Sequence, residues 1–413
     1  MPRRPRVLAM IMAGGKGERL HPLTRDRSKP AVPFGGRHRI IDFVLSNFAN
    51  SELISLYVLV QYRSQSLIEH LRLAWRTGGI LPDSFVTVVP PQMRVGSGWY
   101  RGTADAVLQN LNLVDDFNPD VIAIFGADHI YRMDVNQMLA FHEQTGADVT
   151  VAARPVRVED ASQFGVLAVD RQGRVVQWAE KPPAPTPMPD DSARALVSMG
   201  NYLFSRQALV DALLVDARRS TEHDFGRSII PELVPTGRVF AYDFQKNEVP
   251  GVKPYEEPGY WRDVGTIESY WDAHMDLLGE SPRFDLDNRY WPIRTGTHPG
   301  PPARFIGGDV ENAQVGEASL VKRATIRNSI LGRSVWVNEG AVVEDSIVMD
   351  HTTVGKGARL RRAIVDRFNI IPADSEIGLD PALDRRRYHL DASGLVVVPR
   401  GGRREFLLGL EEL

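Results

Sequence analysis

Two rhythms of apolar and polar positions divide the chain. Up to about residue 280, short apolar runs alternate with stretches whose apolar residues recur every three to four positions. Val7–Met12, Leu56–Val60 and Val121–Phe125 have the character of buried strands, β-branched and bounded by glycine, proline or acidic residues. Between them, Ser64–Arg76 and Thr103–Asp116 carry helical spacing, and Ala104, Val107, Leu108, Leu111 and Val114 line one face of the second. Strand, helix and strand in succession predict an α/β fold, a mostly parallel sheet with helices on both sides. Val166–Val169 and Val175–Trp178 flank Arg171-Gln172-Gly173, a hairpin turn, and Pro182–Pro189 reads as a surface loop.

The second rhythm follows a proline-rich break. Ser281-Pro282, Trp291-Pro292 and Pro299-Gly300-Pro301-Pro302 cannot sustain a helix. Beyond it an aliphatic-glycine step recurs at Val315-Gly316, Leu331-Gly332, Val354-Gly355 and Ile377-Gly378. Aliphatic and aromatic positions fall about six apart, as in Ile330, Trp336 and Val342, or Val348, Val354 and Leu360. A hexapeptide rhythm of this kind predicts a parallel β-helix, with glycine serving the tight corners. A plain antiparallel sheet with regular turns is the competing arrangement; the recurring step favours the β-helix. The expected organisation is a first domain over 1–280, a linker over 281–303 and a β-helix domain over 304–413.

Composition narrows the partners. The 413 residues are 43% hydrophobic and 24% charged, ordinary for a globular protein and enough for two domains. A formal net charge of −3 supplies no global field for nucleic acid or an anionic membrane. Phosphate binding must therefore come from local basic residues and backbone amides. The chain has no cysteine, which excludes disulfides, thiolate metal sites and thiol nucleophiles, and fits a reducing cytoplasm. The apolar run Val7–Ala13 follows basic residues but is short and stops at glycines, which suits a first strand better than a secretory leader. Nothing approaches the roughly 20 apolar residues of a membrane helix.

The chemistry concentrates in Ala13-Gly14-Gly15-Lys16-Gly17-Glu18-Arg19-Leu20, which ends the first strand. Its glycines let the backbone turn sharply and aim successive amides at an anion. It is neither a GxGxxG fingerprint nor a Walker loop. Pro22-Leu23-Thr24 and Ser28-Lys29-Pro30-Ala31 follow, so Arg19 and Lys29 place fixed charges beside it. This string resembles the sugar-1-phosphate nucleotidylyltransferases. The resemblance implies that Gly14 and Gly15 hold nucleotide phosphates, and that Arg19 and Lys29 act on the α-phosphate and the departing pyrophosphate. Lys16-Gly17-Glu18 departs from the Arg-Gly-Thr or Arg-Gly-Ser frequent in that family, removing one hydroxyl.

Two further strings, Phe125-Gly126-Ala127-Asp128-His129 and Trp261-Arg262-Asp263-Val264-Gly265, match the family's metal motifs. Asp128 and Asp263 are implied ligands of Mg²⁺, which accepts hard oxygens together with substrate phosphates. His129, without a second histidine, is expected in a structural hydrogen bond. Trp99–Ala106, Glu180-Lys181-Pro182 and His223–Gly226 are similar to the bacterial-type glucose-1-phosphate adenylyltransferase branch. There the resemblance implies Gln92, Gly102 and Thr103 at the adenine, and Tyr100, Gly165, Glu180, Lys181 and Ser198 at glucose 1-phosphate. On residue chemistry alone, Thr103 is equally a helix N-cap and Asp224 a helix cap.

The resemblance spans about 370 to 390 residues. It implies a Rossmann-like nucleotidyltransferase domain followed by a left-handed parallel β-helix, with ATP and glucose 1-phosphate as substrates. It further implies a homotetramer regulated by small anionic metabolites, with no nucleic acid and no membrane among its partners. Arg39, Arg361, Arg362 and Arg367 are the expected effector residues. Asp26 and Asp116 fall where bisphosphate-activated relatives are basic, so fructose 1,6-bisphosphate is expected to activate weakly. The competing functions are a nucleotidylyltransferase using UTP, dTTP or GTP, an acyltransferase built on the β-helix, and a non-catalytic regulatory subunit. His351 is the main histidine available to an acyltransferase, whereas every charged member of the nucleotidyl-transfer set is present.

Overall fold

The structure is a computed structural model that describes residues 4–76, 83–92, 99–404 and 406–407. The first apolar runs pair in register. Strands β1 (Val7–Ala13), β2 (Ser55–Val60), β3 (Phe85–Val89) and β4 (Val121–Gly126) lie parallel in the order β4-β1-β2-β3. Helices Ile40–Asn50 and Gln65–Ala74 cover this half. The expected helix over Thr103–Asp116 is two helices, Thr103–Leu108 and Leu111–Phe117. Asn110 makes the break: its amide donates to Ala106 O at 2.8 Å and to the Tyr100 hydroxyl at 2.9 Å.

Five more strands extend the sheet: β5 (Val149–Arg157), β6 (Gly165–Val169), β7 (Val175–Glu180), β8 (Arg194–Ser205) and β9 (Val239–Asp243). β8 is antiparallel to β4, β5 and β6, while β9 runs parallel to β5, so the sheet is mixed. The register of β8 shifts between Ser198 and Tyr202, where Gly200 takes φ +71°. Asn201 thus pairs with Phe125 of β4 while Val197 pairs with Val166 of β6. β6 and β7 therefore stand beyond the carboxyl edge of β4 and wall a cleft above it. The β6–β7 turn closes as the sequence predicts, with Gly173 N donating to Asp170 O at 3.0 Å and φ +81° at Gly173.

From Ser281 to Ala303 no helix or strand forms, and Phe284 stacks on Tyr260 with ring centroids 4.7 Å apart. β10 (Arg304–Val315) and β11 (Leu320–Leu331) then begin a left-handed parallel β-helix. Ile330 pairs with Ile347 and Ile347 with Ile364, so these coils are seventeen residues long, one more than the sixteen that separate Val315 from Leu331. A Cβ on Gly355 would fall 2.5 Å from Ala373 N, and one on Gly316 2.7 Å from Gly332 O; only glycine permits coils this close. Strand alternation then separates two surfaces. Leu331, Val348 and Val365 fill the β-helix interior, whereas Ile330, Ile347 and Ile364 pack outward in a cluster with Leu20, Phe34 and Tyr270 of the first domain and Phe284 of the connecting segment. Among the described residues, no helix is long and apolar enough to cross a membrane.

Candidate active site

A cavity of about 940 Å³ opens at the carboxyl ends of β1 and β4. Both strands are parallel and in step, Met12 beside Gly126, so the loops leaving them face each other. One wall is the glycine loop: Gly14, Gly15, Lys16, Gly17 and Arg19 all line the cavity. Gly17 has φ +65°, and a Cβ there would lie 3.0 Å from the Lys29 Cβ, so the loop closes over the Lys29 stem. Arg19 is half-exposed; its Nη1 donates to Gln163 Oε1 at 3.0 Å and its Nη2 lies 3.9 Å from Asp263 Oδ2.

Beneath the loop, Lys29 joins the two aspartates. Its Nζ donates to Asp128 Oδ2 at 2.9 Å and to Asp263 Oδ1 at 2.7 Å. Burial works against the Lys29 charge, yet Asp128 and Asp263 raise its pKa above the ordinary lysine value. Burial likewise opposes the Asp128 carboxylate, but Lys29 and His129 hold it well below the usual range. A two-stranded ribbon sets the spacing: His129–Tyr131 pairs antiparallel with Trp261–Asp263, placing Asp263 opposite His129. Asp128, His129 and Asp263 each offer a ligand atom within 4.8 Å of the others, a group able to hold a metal ion. The donors suit a hard divalent cation, and the Lys29 ammonium already stands between the carboxylates as a cation does. His129 does not make the expected hydrogen bond. Its Nδ1 is buried without a partner, and the ring tilts against Trp261 with centroids 4.9 Å apart.

The far wall carries Glu180 and Lys181. Glu180 is accommodated by two glycines: a Cβ on Gly165 would meet its Oε2 at 2.7 Å, and one on Gly226 at 2.6 Å. Burial, with Asp224 nearby, raises the Glu180 pKa even though Lys181 opposes it. Lys181 is half-exposed, with φ +48° and its Nζ 3.7 Å from Glu180 Oε1. Ser198 lies behind this wall rather than in it, accepting from Gly200 N at 3.1 Å. Gly226, Tyr202 and Asp224 line the cavity without having been assigned to it from sequence.

At the remaining end are Tyr100, Gly102, Thr103 and Gln61. Gly102, not Thr103, occupies the N-cap, and only glycine fits there, since a Cβ at 102 would strike His223 O at 2.3 Å. The Thr103 hydroxyl instead donates to Asp224 Oδ2 at 2.9 Å and accepts from Phe225 N at 3.0 Å. Asp224 caps the helical turn after it, accepting from Gly226 N and Arg227 N. Gln92 is exposed, its amide donating to Pro90 O at 2.9 Å, outside this lining; Gln61 takes the adjacent place, its amide on Tyr100 O at 3.2 Å. Nothing in the spacing pointed to Gln61.

Comparison with known proteins shows the family of the chain. The nucleotidyl transferase family matches residues 8–280, and a GlmU-like C-terminal hexapeptide family matches residues 301–398. The chain is 51% identical to the glucose-1-phosphate adenylyltransferase of Thermodesulfovibrio yellowstonii over 97% of both chains. It is 50% identical to that of an Anaeromyxobacter species, covering 97% of this chain and 99% of the relative. With the enzyme of the same name from Deinococcus radiodurans the identity is 47%, over 96% and 99% of the two chains. The chain belongs to the glucose-1-phosphate adenylyltransferase family.

In this member of the family a second charged cluster lies where the β-helix meets the first domain. Arg27 is buried and paired through Nη2 with Asp366, and its Nε donates to Leu23 O at 2.9 Å. Arg333 Nη2 donates to Asp350 Oδ2 at 2.9 Å. Arg39 Nη1 donates to Ala31 O at 3.0 Å, and Arg367 stands 5.6 Å over the Phe368 ring. Burial and the neighbouring Arg27 push Arg39 down to about 10 and Arg367 to about 9. Arg27 Nη1, Arg333 Nε and Arg367 Nε are buried with no partner. Arg361 and Arg362 stand elsewhere: Arg361 is exposed, and Arg362 lies 4.9 Å over the Trp271 ring.

Proposed function

We propose that the chain transfers the adenylyl group of ATP to α-D-glucose 1-phosphate, giving ADP-glucose and pyrophosphate for α-glucan synthesis. The observation that carries this reading is one cavity lined by a glycine amide loop, Arg19, Lys29, Asp128, Glu180 and Lys181, with Asp263 bonded to the Lys29 ammonium beside Asp128. The phosphate of glucose 1-phosphate is already an anionic nucleophile, so no general base is required. It attacks the α-phosphorus in line while the bond to pyrophosphate breaks. The obstacle is repulsion between anions, which positioning and charge neutralisation remove.

Amides of Gly14 and Gly15 take nucleotide phosphates, and Gly102 and Thr103 bound the adenine. Arg19 and Lys29 neutralise charge at the α-phosphate and the leaving pyrophosphate. Lys181 holds the sugar phosphate, and Glu180 accepts from sugar hydroxyls. Asp128 and Asp263 hold Mg²⁺, which when bound supplies charge neutralisation at the phosphates. Asp128→Ala should abolish turnover in a folded protein; near-normal kcat refutes its assignment.

Regulation is proposed at the interdomain arginines. Three buried guanidinium nitrogens without partners, at Arg27, Arg333 and Arg367, favour a small anion there. Asp26 stands next to Arg27 in the chain, where its negative charge disfavours a bisphosphate. Fructose 1,6-bisphosphate is therefore a weak activator at best, in a homotetramer tuned by other anionic metabolites. Strong, selective activation by the bisphosphate sinks this part.

A further inference from the structure

Lys29 holds a position its role at the α-phosphate does not account for. Its stem is only 8% exposed, beneath the glycine loop, and its backbone is fixed in the turn Lys29–Ala31. The ammonium alone can relocate, and it lies 2.9 Å from Asp128 and 2.7 Å from Asp263. A divalent ion bound to both carboxylates would sit about 2.0–2.1 Å from their oxygens. It would then press on the ammonium with nothing between them, and buried like charges exclude each other.

We propose that Lys29 takes the metal's place between Asp128 and Asp263 in the nucleotide-free protein, so that metal enters only in company with nucleotide. A bare cation must break two charge-assisted hydrogen bonds and leave a buried ammonium with no partner. A cation carried on a triphosphate brings the anionic oxygens that receive the ammonium as it leaves. Arg19 cannot serve as that lock: its guanidinium is 3.9 Å from Asp263 and is engaged by Gln163. Lys29 therefore does two jobs, guarding the carboxylates at rest and meeting phosphate in turnover. The inference rests on the reading of the two aspartates as metal ligands.

The test is titration of nucleotide-free protein with Mn²⁺, read from the loss of the free-ion electron paramagnetic resonance signal. Lys29→Met should bind one Mn²⁺ at least about tenfold more tightly than wild type. Lys29→Arg, which restores a cation, should stay weak, and Lys29→Met combined with Asp263→Asn should lose the gained site. A folded Lys29→Met protein with unchanged Mn²⁺ affinity overturns the proposal. Should that variant not fold, wild type decides: one tight Mn²⁺ per chain without nucleotide overturns it, and weak binding upholds it. Formation of ADP-glucose is scored separately, so a failed lock with intact turnover leaves the function standing. Absence of nucleotidyl transfer defeats the function whatever Mn²⁺ does.

Discussion

Arg27 and Asp366 form an ion pair across the two domains, and both side chains are only 1% exposed. Arg27 is two residues before Lys29, so the pair ties the β-helix to the strand of chain that delivers a cation to the cavity. Breaking a buried pair from one side leaves an uncompensated charge, a cost of about 3–5 kcal/mol. Asp366→Asn should lower the denaturation midpoint accordingly and loosen the docking of the β-helix. Replacement of both partners by apolar residues should recover much of the loss. An Asp366→Asn protein as stable as wild type would contradict this account of the interdomain contact.

Gly226 and Gly165 leave room for the Glu180 carboxylate, 2.6 and 2.7 Å from where their Cβ atoms would fall. The obstructed group is the end of a flexible side chain, so Gly226→Ala should fold and simply displace Glu180. Losing hydrogen bonds to a charged group costs about 1.5–3 kcal/mol, which is roughly tenfold to a hundredfold in KM for glucose 1-phosphate. The KM for ATP should hardly change. Steady-state kinetics with each substrate varied separately checks this, and an equal rise in both KM values would count against it.

Three buried histidines make the fold acid-sensitive. Burial pushes His38 and His142 down to about 4 and His274 to about 3. His274 needs to be neutral: with Nδ1 donating to Tyr270 O, its Nε2 accepts from Gly35 N. Asp42, Arg37 and Arg333 act on His38, and Asp148 and Arg238 on His142, without reversing either shift. The unfolded chain binds these protons near pH 6.5 and the folded chain only near 4 or below, so unfolding takes up protons between. Stability is full above about 6.5 and is lost as pH falls toward the folded values, with a slope of at most ~4 kcal/mol per pH unit for the three together. Urea midpoints from about pH 7 to about pH 5 should fall steadily; a flat profile contradicts the assignment.

The legible parts of this fold were those set by local pattern. β1, β2 and β4 and the hairpin turn at Gly173 announce themselves through period and turn chemistry, as do the stacked coils of the β-helix. β8 was silent, because one twelve-residue strand serving three partners carries no period that names them. The split at Asn110 was hidden for a related reason: the apolar face of the two helices continues across it, while the hydrogen bonds of one side chain, to Ala106 O and the Tyr100 hydroxyl, end the first. In the site, charged residues in motifs were found, and of the two glycines that make room for Glu180, Gly165 was found and Gly226 was not. Gly226 matters through a clash that never occurs, and Gln61 through a place beside Gly14 that only the fold creates.

Identification of the product formed from glucose 1-phosphate, Mg²⁺ and each of ATP, UTP, dTTP and GTP tests the central claim most directly. ADP-glucose and pyrophosphate should appear in equal amounts with ATP, far faster than any sugar nucleotide from the other three. Equal use of the four nucleotides, or no sugar nucleotide from ATP, would contradict it.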